Sequence, residues 1–275
     1  MRTTHLVTLL AGLALVAAAT VTHAQAREEG RLLLASQVLE EMHGGARDQA
    51  IPDRLLQRAY GIAVIPDMTK IAWFVGGRRG HGALVVRDKD GRFSSPIFVT
   101  MTGGSFGFQW GVESTDIVLV FTTPKGIQGI NGGKVTLGGD LSAAAGPVGR
   151  DALAATDASF KAEVYSYSRS RGAFVGLALD GTVIAIDDDA DAAFYRKPGV
   201  LAGDIMSGSV RSDDDSARRF LAAVTTSTEG QRQASAAPAP RPAPPPAAAP
   251  TPPPAAPAGA QSFPLADPKP GSEPK

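Results

Sequence analysis

The chain has 275 residues, of which 43% are hydrophobic, 27 are basic, 27 are acidic and none is cysteine. This length and apolar content allow a sizeable core, and the lack of cysteine excludes disulfide bonds and a lipid-modified cysteine. Because the charges balance, no global basic field attracts nucleic acid, and an anionic partner requires a local basic patch.

The first 26 residues have the pattern of an export signal. Arg2 and His5 precede an apolar run over residues 6–21, and the small residues that close the segment suit a signal peptidase. A single-pass anchor is the alternative, but the run is shorter than the about 20 apolar residues that a spanning helix needs. The sequence therefore predicts cleavage after Ala26 and a periplasmic or secreted protein.

Two helices are predicted at the start of the mature chain. Within residues 31–42 the apolar residues recur at three- and four-residue steps, which places them on one helix face. These residues are Leu32, Ala35, Val38, Leu39 and Met42. A second helix is predicted over residues 51–60, where a proline and an aspartate mark the N-terminal end. Both helices are expected to cover the sheet that follows.

Short β-branched and aromatic runs separated by turn residues predict a sheet of many strands. The predicted strands are residues 62–65, 71–75, 83–87, 92–93, 97–101, 105–112, 116–121, 134–137, 162–169, 173–179 and 182–186. Among the predicted connections are a turn over residues 66–70, a glycine loop over residues 76–82 and a hairpin turn at Asp180 and Gly181.

The end of the chain contains two predicted helices and a region of different composition. The helices are residues 187–195 and 213–224, each with aspartates at its N-terminus. Of the 21 prolines, 15 lie between Pro238 and Pro274, interleaved with alanine. Residues 229–275 are therefore predicted to be a disordered tail rich in polyproline II, and residues 27–228 the folded domain.

The order of elements indicates the fold class. Many short strands with helices grouped at the two ends of the domain predict an α+β fold. We expect a mainly antiparallel sheet, barrel-like or strongly curved, with the N-terminal and C-terminal helices packed on it.

No motif supports an enzyme. Residues 103–107 fit the Gly-x-Ser-x-Gly pattern of a hydrolase, but a strand follows them where the pattern requires a helix. The two histidines of the mature chain, His43 and His81, lie upstream of this serine, whereas the hydrolase order needs one downstream. An enzyme that uses carboxylates alone is the alternative, although no spacing selects a pair.

Metal and cofactor sites are not predicted either. Asp187, Asp189 and Asp191 match the first positions of a calcium loop, but Ala192 and Pro198 replace the glycine and glutamate that the loop needs. Aspartates that stabilise a helix N-terminus are the favoured interpretation. His43 and His81 without cysteine are weak evidence for a metal site.

Basic residues near the glycine loop form the candidate binding patch. Arg78 and Arg79 lie in the loop, with Lys70 and Arg87 nearby in sequence; an ordinary solvated hairpin is the alternative. Each cation beside an anionic membrane contributes on the order of 1 kcal/mol, so stable attachment also requires apolar insertion. The N-terminal helix is the predicted source, although burial against the sheet is the commoner fate of such a helix. Its candidate lipid contacts are Leu32, Leu33, Leu34, Val38 and Leu39.

Ordered motifs extend over residues 30–205. They are residues 61–66, 80–87, 93–96, 104–111, 116–120 and 165–176. On these motifs the chain resembles the SYLF domain family, also called DUF500, and in particular its exported bacterial members. The resemblance implies a non-enzymatic domain that, in eukaryotic members, binds phosphoinositide membranes through basic residues and an amphipathic N-terminal helix, and in some members binds actin filaments. Phe93 departs from the tryptophan that is common at this position.

The sequence thus predicts an exported, non-enzymatic module that associates with anionic phospholipid surfaces. Arg78, Arg79 and the leucine face of the N-terminal helix are the predicted contacts. The alternative, from another class, is a structural or protein-interaction module of the envelope, in which the same helix is core and the Pro/Ala-rich tail reaches a partner.

Overall fold

The computed structural model describes residues 2–45, 50–72, 75–106, 111–148, 161–170 and 173–236. Within these ranges, the side chains of residues 2–22, 71–72, 75, 105–106, 111–113 and 230–236 are not described. Residues 1–237 form one compact unit and residues 238–275 a second. The second unit lies outside the described residues, as does most of the predicted tail.

Six helices and nine strands make up the described part of the chain. The helices are α1 (Arg2–His43), α2 (Asp53–Gln57), α3 (Pro124–Asn131), α4 (Asp188–Phe194), α5 (Ala202–Met206) and α6 (Asp215–Ala236). The strands are β1 (Gly61–Ala72), β2 (Val75–Val86), β3 (Ile97–Phe106), β4 (Gly111–Phe121), β5 (Lys134–Thr136), β6 (Ala143–Ala145), β7 (Val164–Ser170), β8 (Ala173–Gly176) and β9 (Val183–Ile186). Among the described helices, none has both the length and the apolar character to span a membrane.

All nine strands belong to one curled sheet in the order β5-β9-β3-β2-β1-β4-β7-β6, with β8 also paired to β7. The pairing is antiparallel throughout, except between β6 and β7. Helices from both ends of the chain pack on the sheet. The predicted α+β class with a curved, mainly antiparallel sheet is therefore confirmed. The helix α6 continues to Ala236, beyond the end predicted for it.

The two faces of the sheet bury separate cores, and alternate residues of each strand belong to opposite faces. On β2, Ala83 and Val85 pack with α1, α2, α4 and α6, and we call this side the α1 face. Leu84 and Val86 pack with residues of α3 and α5, on the side that we call the α3 face. The predicted apolar stripe of the N-terminal helix, from Leu32 to Met42, is buried in the α1-face core.

The turn predicted over residues 66–70 is wrong, because β1 runs through it as a single strand. A β-bulge between Ile65 and Met68 absorbs the proline, and Asp67 takes a positive φ of 49° there. The Asp67 amide donates to Asp116 Oδ1 at 3.1 Å, and its carboxylate accepts from the Ser114 hydroxyl at 3.0 Å. These bonds replace the ladder bonds that the bulge interrupts.

The glycine loop predicted over residues 76–82 is also wrong, because these residues lie within β2 and pair with β1 and β3. The glycines there allow close approach of neighbouring atoms. A Cβ at Gly82 would lie 2.1 Å from the Val64 carbonyl oxygen, and one at Gly80 would lie 2.5 Å from a methyl group of Ile65. Crowding by β1 therefore accounts for glycine at both positions.

Asp180 and Gly181 form a turn, with Gly181 at a φ of 73°, but the predicted hairpin is wrong. The strand before the turn, β8, pairs with β7, whereas the strand after it, β9, pairs with β3 and β5. Residues 177–182, which we call the crossing segment, therefore run between distant parts of the sheet. They pass over the α3 face, where Leu179 is fully buried in the core.

Candidate functional site

A cavity of about 630 Å³ lies on the α3 face, between the sheet and the crossing segment. The strands β1, β2, β3, β4 and β7 supply one wall, and β8 with the crossing segment supplies the other. Its lining residues are Met68, Lys70, Arg78, Gly104, Thr115, Ser168, Ser170, Val175, Leu177, Asp180 and Gly181. We call it the basic cavity because of its two cations.

Lys70 and Arg78 are register partners across β1 and β2, so their side chains leave the same face side by side. Like charges that face each other in this way destabilise a sheet. Among the described residues, no carboxylate forms an ion pair with either cation. Glu113 is the partner of Lys70 on β4, and its side chain lies outside the described set.

Arg78 is the more constrained of the two cations. It is half-buried, and its buried Nε has no hydrogen-bond partner. Burial lowers the pKa of Arg78, and none of the described carboxylates acts in the opposite direction. Because a guanidinium stays protonated in proteins, Arg78 is a desolvated cation without a counterion in the described structure.

Thr182 provides a second unsatisfied group beside Arg78. The residue is fully buried, and its Oγ1 has no hydrogen-bond partner. Gly103 lies between the two: a Cβ on Gly103 would meet Thr182 Oγ1 at 2.9 Å and Arg78 Nε at 3.0 Å. Buried polar groups without partners are costly, and of these residues Arg78 lines the cavity, so a hydrogen-bond acceptor that reaches Arg78 from the cavity is favoured.

The rest of the lining combines hydroxyl groups with apolar surface. Thr115 and Ser168 contribute hydroxyls from β4 and β7, while Met68 and Leu177 contribute apolar surface from β1 and the crossing segment. Asp180 is the one carboxylate residue in the described lining, and it is exposed. Two cations and several apolar side chains in one cavity suit an amphiphilic anion.

The structure separates the four predicted basic residues. Only Lys70 and Arg78 meet in the cavity, because Arg79 is exposed on the opposite face of the sheet. Arg87 lies just beyond the far end of β2, roughly 30 Å from Arg78 at 3.3 Å per residue. There its Nε donates to the Ala59 carbonyl at 3.0 Å, and its guanidinium stacks on the Phe93 ring.

The five predicted lipid contacts of the N-terminal helix also divide. Leu32, Val38 and Leu39 are buried in the α1-face core, so they are unavailable to a membrane in this structure. Leu33 and Leu34 remain 42% and 47% exposed. The predicted apolar contact is thereby reduced to these two leucines, on the face opposite the basic cavity.

A second polar cluster joins α1, α4 and β2 on the α1 face. Buried Glu28 contacts Arg31 at 2.6 Å, and Asp187 contacts both Arg31 at 3.7 Å and His81 at 3.2 Å. Asp187 also caps α4, as the aspartate pattern predicted, by accepting from the Ala190 amide. The described residues include no group of three side chains suited to a metal ion.

Asp191 lies in the same region and is fully buried. Its Oδ1 accepts from the Phe98 amide at 2.9 Å, while its Oδ2 has no partner. Burial raises the pKa of Asp191 to about 8, and nearby carboxylates on α4 and α1 add to the rise. The Phe98 amide acts in the opposite direction.

Sequence reasoning missed Gly103, Thr182 and the crossing segment. No local sequence pattern identifies Gly103 or Thr182, because each contributes to the site only through its position beside the other and beside Arg78. The pairing of Lys70 with Arg78 could in principle have been predicted from the sequence. A single hairpin from residue 61 to residue 86 would have placed the two cations opposite each other, but the predicted turn at residues 66–70 concealed it.

Comparison with known proteins indicates a family of binding proteins. The family model Ysc84, described as Las17-binding protein actin regulator, matches residues 102–227. The chain is 39% identical over 182 residues to LAS seventeen-binding protein 3 of Saccharomyces cerevisiae. These residues are 65% of this chain and 39% of that protein. These names describe binding and regulation, and neither names an enzymatic activity.

Animal proteins show the same similarity. The SH3 domain-containing YSC84-like protein 1 of Mus musculus is 31% identical over 190 residues, or 67% of this chain and 55% of that protein. The Xenopus laevis protein of the same name is 31% identical over 164 residues, or 59% of this chain and 49% of that protein. The chain thus spans between about two fifths and just over half of the length of these relatives.

Proposed function

Because the chain belongs to the SYLF domain family, we propose that its folded domain is a non-enzymatic module that binds anionic lipid in the basic cavity. Arg78 and Lys70 bind the anionic group in this proposal, and the apolar lining contacts the adjoining hydrocarbon. The names of the relatives support a binding role in general, and the lipid is our own assignment.

The observation that carries the proposal is the half-buried Arg78, whose Nε has no hydrogen-bond partner and whose guanidinium forms no ion pair with a described carboxylate. A desolvated cation beside a second cation is unfavourable unless an anion compensates both. A phosphate or carboxylate accepts hydrogen bonds from a guanidinium in a charge-assisted geometry. Apolar lining beside the cations then favours an anion that carries hydrocarbon over a simple inorganic ion.

Contact with the membrane surface is a separate part of the proposal. Arg79, Leu33 and Leu34 are exposed and belong to the α1 face or to the helix that covers it. One surface cation contributes on the order of 1 kcal/mol, and two half-exposed leucines contribute about 2 kcal/mol together. A total near 3 kcal/mol gives weaker than millimolar binding, so the surface alone does not hold the protein on a membrane.

We propose further that the protein is exported and cleaved after Ala26. The support is the order of charge, apolar run and small residues at the N-terminus. Mass spectrometry of the protein recovered from the cell envelope or the culture medium tests this directly. A mature N-terminus at Arg27 is expected, and recovery of only the uncleaved chain from the cytoplasm contradicts it.

A protein-interaction module is the second candidate function, and the names of the relatives favour it. One relative is named for binding a protein, LAS seventeen. In this candidate the Pro/Ala-rich residues 237–275 provide the ligand or spacer. Deleting residues 237–275 leaves α6 intact; loss of envelope association with lipid binding unchanged supports this second candidate.

Flotation with vesicles tests the lipid proposal. The mature chain is mixed with phosphatidylcholine vesicles that contain increasing phosphatidylglycerol, at low and at physiological salt. We expect binding to rise with anionic lipid and to be weakened at least tenfold by Arg78→Gln. Arg219→Gln is the control, because it loses one exposed charge outside both the cavity and the proposed surface contacts and should matter little at physiological salt.

Two outcomes contradict the proposal. Flotation that is equal for the wild type and folded Arg78→Gln removes the cavity from lipid binding. Absence of flotation at every lipid composition, with the circular dichroism spectrum of a folded protein, favours the protein-interaction function. Circular dichroism and thermal melting of each variant accompany the assay, so that loss of binding is not confused with loss of folding.

A further inference from the structure

We infer that the basic cavity also binds one anionic amphiphile of single-chain size as a monomer, without a bilayer. This inference rests on the proposed function, because it assumes that the cavity binds anionic lipid. It goes further by stating how the lipid is held: the anionic end contacts Arg78 and Lys70, and one hydrocarbon chain contacts Met68 and Leu177.

The depth of Arg78 is the first argument. Its Nε is inaccessible to solvent, and the crossing segment lies over the face of the sheet from which it projects. A bilayer surface is broad and cannot enter such a recess. The anionic group therefore has to leave the plane of the membrane to reach the guanidinium.

The unsatisfied hydrogen-bond donors at Arg78 and Thr182 indicate which kind of anionic group would bind. Arg78 Nε and Thr182 Oγ1 both lie beside Gly103, and among the described residues neither has a hydrogen-bond partner, so each is a donor that lacks an acceptor. A terminal oxyanion, phosphate or carboxylate, supplies such an acceptor and further oxygens for Lys70.

The size of the cavity limits the hydrocarbon. Its volume of about 630 Å³ lies within the range of small-molecule sites. At the roughly 30 Å³ that one water molecule occupies in the liquid, it has room for about 20 non-hydrogen atoms. One acyl chain with its anionic group is of this size, whereas a phospholipid with two long chains would keep its second chain outside the cavity.

The distribution of polar and apolar groups agrees with a single chain. The two cations lie on the paired strands β1 and β2, while Val175 and Leu177 lie on the opposite wall, in β8 and the crossing segment. Met68, which is almost fully buried, lines the cavity from β1, two residues before Lys70. A ligand anchored at Arg78 therefore meets apolar side chains along its length.

Isothermal titration calorimetry with detergents below their micellar concentrations tests the inference without any membrane. The full mature chain is titrated with dodecanoate and with dodecyl phosphate, which distinguish a carboxylate from a phosphate source. Dodecanol and dodecyltrimethylammonium are the neutral and cationic controls, and acetate and inorganic phosphate are the controls without a chain. We expect one anionic amphiphile per protein and at least tenfold weaker binding of every control.

Variants locate the bound molecule. Arg78→Gln should weaken dodecanoate binding at least tenfold, while Arg79→Gln, one residue away on the other face, should change it less than twofold. Leu177→Ser should weaken dodecanoate binding and leave inorganic phosphate binding unchanged. If Arg78→Gln does not fold, the comparison of anionic, neutral and cationic ligands on the wild type still decides the question.

The outcomes separate this inference from the proposed function. Vesicle flotation that depends on Arg78, without uptake of either monomeric amphiphile, overturns the inference and leaves lipid-surface binding in place. Failure of both assays with folded protein overturns both. Equal binding of dodecanol and dodecanoate, or of acetate and dodecanoate, also overturns the inference, because it removes the role of the cation or of the chain.

Discussion

Two arginines, one on each face of the sheet, differ in how their charge is compensated. Arg31 on the α1 face contacts buried Glu28 at 2.6 Å and Asp187 at 3.7 Å, and its guanidinium lies over the Phe98 ring. Arg78 on the α3 face is also partly buried, but no described carboxylate contacts it. Burial lowers the pKa of both.

The difference distinguishes a cation that stabilises the fold from one that is available to a ligand. Removing Arg31 would leave the charge of Glu28 buried with only the exposed Arg27 beside it. Removing Arg78 would leave no described carboxylate without an ion-pair partner that it had before, and it would relieve the repulsion with Lys70. The folded state therefore requires the first arginine, whereas it gains nothing evident from the second, which is consistent with retention for binding.

The largest effect is expected from replacing each arginine with methionine. Arg31→Met should lower the free energy of unfolding by about 3 kcal/mol, because a buried ion pair loses one partner. Arg78→Met should change it by less than about 1 kcal/mol, or raise it, because an unpaired cation is replaced by an apolar side chain. Urea denaturation at pH 7 measures both.

A control completes the arginine comparison. The double variant Glu28→Gln/Arg31→Met removes both charges and should recover part of the stability that Arg31→Met loses. Similar losses for Arg31→Met and Arg78→Met would contradict the comparison, since both arginines would then be structural.

The next effect concerns the pH dependence of the α1 face. The folded-state pKa of Asp191, about 8, lies above that of an unfolded aspartate, about 4, so the folded state holds the proton more tightly. Its contribution to stability is therefore complete at low pH and is lost as the pH rises from about 4 to about 8. Asp191→Asn should remove this dependence, and at pH 9 its free energy of unfolding should exceed that of the wild type by several kcal/mol.

Thermal melting from pH 5 to pH 9 measures the Asp191 effect. The asparagine retains an oxygen that can accept from the Phe98 amide, so the variant tests the charge with little change in shape. Asp189→Asn, at an exposed position of the same helix, is the control. Parallel pH profiles of the wild type and Asp191→Asn would show that Asp191 is ionised in the folded protein.

A smaller effect is expected at Gly103. A methyl group there would lie about 3 Å from Arg78 Nε and Thr182 Oγ1, so Gly103→Ala should displace the guanidinium. We expect about 1 kcal/mol of destabilisation and a severalfold loss of anionic ligand. Gly77→Ala, at an exposed position of β2 outside the cavity lining where a Cβ meets nothing within 4 Å, should bind normally; equal binding by both variants would separate Gly103 from the site.

The smallest effect on stability should come from the exposed leucines. Leu33→Ser/Leu34→Ser should change the free energy of unfolding by less than about 0.5 kcal/mol for each residue, because both leucines lie on the solvent side of α1. Vesicle flotation should fall severalfold, while binding of monomeric dodecanoate should stay unchanged. A loss of monomer binding would contradict the separation of the two faces.

Features of the fold that depend on nearby residues were predictable from the sequence. The apolar period of residues 31–42 identified the buried side of α1, and the aspartate pattern identified the capped start of α4. The α+β class followed from the order of elements. These signals are local, since helix periodicity and capping involve residues within a few positions of each other.

Long-range pairing was not predictable in the same way. The turn at Asp180 and Gly181 was identified correctly, but its flanking strands pair with different neighbours. Arg78 was identified as a candidate, yet its environment depends on Gly103 and Thr182, which only the assembled sheet brings together. Local turn chemistry does not specify which strand lies alongside which.

The crossing segment also limits how far the sheet can flatten. Six residues span at most about 20 Å when fully extended, and residues 177–182 join β8, near one edge, to β9, near the other. The two margins cannot separate further than this connection allows. A member of the family with a longer connection at this position should have a flatter sheet and bind a larger ligand. The length of this connection would then determine ligand size without any change in the strands.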